Sequence, residues 1–98
     1  MNDKVLLELA AKAAGELTPD LYGNEAYLNL LLSDWNPLTS DSDALRLAVK
    51  LSLLFYLPER YESVRTLYYE ELNNDLRPSE ATRRAIVRAA AEIGRGME

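Results

Sequence analysis

The sequence contains no cysteine and no histidine. Without Cys there is no disulfide framework and no thiolate zinc site. Without His the commonest general base and the commonest metal ligand are gone, with every Ser-His or Cys-His nucleophilic pair. Most hydrolytic mechanisms are therefore disfavoured before any motif is read. No apolar run approaches the ~18 residues of a membrane span. The opening MNDKVLLELAAK has no separate basic region and mixes charge into its apolar stretch, unlike a signal peptide. These absences predict a cytoplasmic protein that is not an enzyme, needs no cofactor or metal, and takes neither a membrane nor a small-molecule substrate as partner.

What is present fits one domain, residues 1–98, with 48% hydrophobic residues to build its interior. A core of this size is modest, so association with a second copy or another protein would add stability. The net charge of −5 argues against general affinity for nucleic acid or anionic membrane. That charge is uneven: residues 1–76 hold 13 acidic and 6 basic side chains, net −7, and residues 77–98 hold 5 Arg and 3 Glu, net +2.

Three helices are predicted from apolar spacing and cap residues. The first covers about 3–15, capped by Asn2-Asp3, with Leu6, Leu9, Ala10, Ala13 and Leu17 on one face and Gly15 as its stop. The second covers about 41–51, with Ala44, Leu47, Ala48 and Leu51 on one inward face that Leu45 and Val49 are expected to widen; Pro37 keeps it from starting earlier. A Ser40 N-cap with Asp43 three residues on is a variant of the capping box. The last covers about 79–94, with Thr82, Ala85, Ile86, Ala89 and Ile93 as its apolar stripe and Gly94 and Gly96 as its end. The run Ala26–Leu32 reads as a buried strand. Leu53–Leu57 and Val64–Tyr69, rich in aromatic and β-branched residues around a polar loop, read as a hairpin. A rival reading starts a helix at Pro58, with Tyr61, Val64, Leu67, Tyr68 and Leu72 on one face.

Three blocks, LLELAAKAAG (6–15), WNPLTSDSDALRLAVKL (35–51) and ATRRAIVRAAAEIGRGM (81–97), together resemble a group of small proteins of tailed phages and prophages related to the phage ABA sandwich domain. Members of that group look like a Trp-Asn-Pro-Leu-Thr motif, an acidic cluster and then Asp-Ala-Leu-Arg-Leu. The blocks cover 44 of the 98 residues, in the expected order, and the Trp35 block is the most specific. The resemblance implies a phage origin and a helix-sheet-helix α+β domain. The predicted order is then α-β-α-β-β-α, with an all-α bundle as the alternative. It carries over no catalytic residue.

Candidate sites each have a bland competitor. Asp41 and Asp43, with Asp34 nearby, supply oxygen ligands of the kind a divalent cation takes, but they also sit where a helix start wants carboxylates, and we prefer the second reading. Trp35 is read as a core residue ahead of an interface anchor. Arg83, Arg84, Arg88 and Arg95 on the last helix form a basic stripe, either solvated or tracking phosphates. Tyr61, Tyr68 and Tyr69 with Glu70 and Glu71 give the best hint of a binding surface, acidic and aromatic, suited to a basic groove on a protein. Glu59, Glu62 and Asp75 extend its acidity. The expected function is a phage accessory protein that binds a host or phage protein, in one version an inhibitor of a host defence complex of the anti-CRISPR kind. A nucleic-acid-binding regulator using the Arg stripe and a self-associating structural protein are the alternatives.

Overall fold

The structure, a computed structural model, describes residues 2–17, 34–54 and 57–97. Four helices are seen among these residues and no strand: α1 (Asp3–Leu17), α2 (Asp41–Lys50), α3 (Pro58–Asn73) and α4 (Pro78–Gly96). The α+β expectation, with its α-β-α-β-β-α order, is therefore wrong, and the all-α alternative holds for the described chain. The hairpin does not form. Val64–Tyr69 lies inside α3, and Leu53 and Leu54 belong to the turn after α2. The predicted strand Ala26–Leu32 lies outside the described residues.

Local chemistry accounts for the helix starts. Asn2 accepts from the Val5 backbone N–H at 2.9 Å, capping α1. Ser40 has extended backbone and its hydroxyl accepts from the Asp43 N–H at 3.2 Å. The second half of the expected capping box is redirected. Asp43 accepts from the Asn36 N–H at 2.8 Å, pinning the Trp35–Ser40 turn instead of the cap residue's own N–H. Asn36 closes that turn by accepting the Leu38 N–H with its side chain at 3.0 Å and the Ser40 N–H with its carbonyl at 2.9 Å. Pro58 and Pro78 open α3 and α4, where a missing N–H costs nothing.

The helix ends were less visible in the sequence. After α2 the Ser52 N–H bonds Val49 O and the Leu53 N–H bonds Ala48 O; after α3 the Asp75 N–H bonds Leu72 O and the Leu76 N–H bonds Glu71 O. Both are Schellman closures, which place one residue in the left-handed region. Here those residues are Ser52 (φ 54°) and Asp75 (φ 67°), where glycine is the usual occupant. Ser52→Gly and Asp75→Gly are each expected to raise stability by about 0.5–1 kcal/mol in urea unfolding. Neither side chain is buried.

Gly15 and Gly94 do not stop their helices: α1 runs through Gly15 to Leu17, and α4 runs through Gly94 and ends at Gly96, the second glycine expected there. Helix α4 is the hub and packs against α1, α3 and α2 in decreasing extent. It therefore buries more than one stripe, including Ala81, Ala85, Val87, Ala89, Ala90 and Ala91. Thr82, expected inside, is exposed and donates its hydroxyl to the Pro78 carbonyl at 2.8 Å. The facing side of α1 is equally small-grained, with Ala10, Ala11, Ala13 and Ala14 buried. Trp35 is half-buried against the core, as expected. No helix among the described residues is long and apolar enough to cross a membrane.

Candidate functional site

Helix α3 carries the residues predicted to meet a partner, and the structure divides them. Glu71 turns inward, its side chain only 7% exposed. Arg88 of α4 donates to its Oε1 from Nη1 at 2.7 Å, and Arg84 Nε stands 3.6 Å from its Oε2. Glu71 cannot then present its charge to a partner, and that assignment is corrected. The same contact engages the centre of the predicted Arg stripe. The two rival sites, acidic on α3 and basic on α4, are largely two sides of one internal network.

The network reaches further. Arg84 Nη1 donates to Asp3 Oδ1 on α1 at 2.9 Å. Arg88 Nη2 is 3.9 Å from Glu70 Oε2. Arg83 donates from Nε to the Leu38 carbonyl at 2.8 Å and from Nη1 to Asp41 Oδ1 at 2.7 Å, clamping the start of α2 onto α4. Asp41 and Asp43 thus have identified partners, Arg83 and the Asn36 N–H. Among the described residues no three metal-ligating side chains converge. Arg95, half-exposed, lies 3.5 Å from Glu92. Each arginine of the stripe has a protein partner.

What faces outward on α3 is the remainder of the predicted set. Tyr61, Tyr69 and Glu70 are exposed and Tyr68 is half-buried. Tyr68 and Tyr69 meet edge to face, with ring centroids 5.4 Å apart. Tyr61, Val64, Tyr68 and Tyr69, with Arg65 and Thr82, line a shallow groove of about 270 Å³. On the other flank of α3 lies a cleft of about 540 Å³. Its apolar wall includes Leu53, Leu67, Ala89 and Ile93, and Glu59, Glu62 and Glu92 add carboxylates. The sequence reading missed this cleft because it needs the turn after α2, α3 and α4 together, and it had made α3 a strand.

Glu70 and Glu71 are adjacent in sequence yet do different work, since successive helix positions are about 100° apart. Sequence spacing does carry that signal: Glu71 follows Val64 and Leu67 at i+7 and i+4, on the inward stripe, once the helix is granted.

No family model matches the chain, and no curated protein or solved structure matches it either.

Proposed function

We propose that this chain is a non-enzymatic phage or prophage accessory protein of the host-cell cytoplasm that works by binding a host or phage protein. In its sharpest version it inhibits a host defence complex by covering a basic surface that would otherwise hold nucleic acid. The phage attribution rests on the resemblance of the Trp35–Leu51 block. The binding mode is supported by one structural observation: α3 turns Tyr61, Tyr69 and Glu70 outward while α4 ties Arg84 and Arg88 to Glu71. Exposed tyrosines supply contact area at low entropic cost, and the carboxylates beside them select a basic partner.

The test is a tagged pull-down from host lysate, with and without nuclease, comparing the native chain with the triple variant Tyr61→Ala, Tyr69→Ala, Glu70→Lys. All three side chains are exposed, so the variant is expected to keep the fold, checked by circular dichroism. The expected result is a stoichiometric protein that survives nuclease and is lost with the variant. Partners that vanish with nuclease, or a partner held equally by the variant, would overturn the proposal. The first of those outcomes would favour nucleic acid.

A further inference from the structure

Helix α2 turns an unpartnered face outward. Leu45 and Val49, expected to widen the buried face, instead point outward: they are 56% and 63% exposed, one turn apart, although both are large and apolar. Arg46 and Lys50, also exposed and one turn apart, run beside them. This face is an apolar ridge with a basic flank. None of its four residues lines the cleft between α3 and α4. Nor does any of them appear in an ion pair among the described residues.

The cleft has the inverse character. Leu53, Leu67, Ala89 and Ile93 offer apolar surface, and beside it stand three carboxylates, Glu59, Glu62 and Glu92, against one guanidinium, Arg60, which donates to the Leu51 carbonyl. Glu62 and Glu92 are each partly offset by an exposed arginine, Arg65 at 3.8 Å and Arg95 at 3.5 Å. Such exposed i,i+3 pairs are worth little and exchange partners readily. Glu59 forms no ion pair among the described residues, and it lies at the first turn of α3, lining the cleft with Leu53.

We propose that the outer ridge of α2 docks into the α3–α4 cleft of a second copy of this chain. Leu45 and Val49 meet the apolar wall, and Arg46 and Lys50 meet Glu59, Glu62 and Glu92. The occupant is chosen by complementarity on both counts, apolar on apolar and basic on acidic. An α2-to-α2 contact would set Arg46 and Lys50 against their own copies, and a cleft-to-cleft contact would do the same with carboxylates. The interface therefore joins two unlike surfaces. This deepens the protein-binding reading by assigning the acidic flank of α3 a partner, and it leaves the Tyr69 flank available to another.

Mixing two disabled variants tests it by sedimentation velocity at low salt. The first variant is Arg46→Glu with Lys50→Glu, and the second is Glu59→Lys with Glu62→Lys. Native chain is expected to self-associate, and each variant alone to do so at least about tenfold more weakly. An equimolar mixture of the two variants is expected to associate again, through the native α2 face of the second and the intact cleft of the first. A milder variant, Leu45→Gln with Val49→Gln, disturbs no internal bond and is expected to give the same loss. Native chain that stays monomeric to about 1 mM, or variants that associate as well as native chain, would overturn the proposal. The first variant keeps Tyr61, Tyr69 and Glu70, so it still retains the pull-down partner. Loss of self-association with retention of that partner separates this proposal from the broader one.

Discussion

Replacing Gly94 with alanine is expected to lower the melting temperature by about 10–20 °C. A Cβ at Gly94 would stand 2.0 Å from the Leu9 carbonyl oxygen and 2.8 Å from its carbon. Both atoms are backbone, so no rotamer change relieves the contact, and α1 and α4 must move apart. Overpacking in a well-packed interior costs about 1–3 kcal/mol, and a clash against rigid backbone belongs at or above the upper end. Alanine returns up to about 1 kcal/mol through its better helix propensity, which does not offset the cost. Because α1 against α4 is the largest helix contact of the described chain, the loss spreads along the Ala-rich interface. Gly96 is the internal control. A Cβ there meets nothing within 4 Å, so Gly96→Ala should be neutral or stabilising by at most about 1 kcal/mol. Thermal unfolding of the two variants side by side checks both magnitude and sign.

Arg88→Ala carries the second large effect, a loss of about 3 kcal/mol in urea unfolding. It leaves the Glu71 carboxylate buried with only Arg84 Nε, at 3.6 Å, still near it. A buried charge that loses its partner costs about 3–5 kcal/mol; the lower end applies because the Arg88 side chain is 30% exposed and already partly solvated. Glu71→Ala should cost less, about 2 kcal/mol, because the stranded groups are then Arg84 and Arg88, which reach water more easily. Arg65→Ala tests the contrast. Its pair with Glu62 is exposed on both sides, and its removal should stay within about 0.5 kcal/mol. The ordering Arg88, then Glu71, then Arg65 is what the geometry requires.

How much of this could be read from sequence depends on whether the signal was local. Helices α1, α2 and α4 were legible because Asn2, Ser40 and Pro78 mark their starts and small apolar residues recur at helical spacing. Their ends were less so, since Ser52 closes α2 by a hydrogen-bond pattern usually given to Gly. Helix α3 was misread for two reasons. Tyr61, Val64, Leu67, Tyr68 and Leu72 recur at a spacing that slightly favours a helix, but the aromatic and β-branched composition of Val64–Tyr69 and the resemblance were given more weight. The inward Glu71 was also not recognised as part of the buried face. That carboxylate is tolerated only because Arg84 and Arg88 arrive from α4, 13 and 17 residues later. The resemblance to the phage group pointed towards a sheet as well, and on that point it was wrong. Gly94 was read as punctuation because sequence shows a missing side chain and not the Leu9 backbone that needs its absence. The candidate surface was half legible: Tyr61, Tyr69 and Glu70 do face outward, whereas Glu71 and the Arg stripe were assigned to solvent before their mutual pairing was known.

The central claim is that Glu71 pairs inward with the arginines of α4, which leaves α3 to present tyrosines and the remaining carboxylates. A double-mutant cycle of Glu71→Gln and Arg88→Met in urea unfolding tests it most directly, since both replacements keep most of the side-chain volume. The account predicts a coupling energy of about 1–3 kcal/mol, with the double variant more stable than the sum of the single losses allows. Additive losses would mean that the two charges do not meet, and that both Glu71 and the arginine stripe are available at the surface.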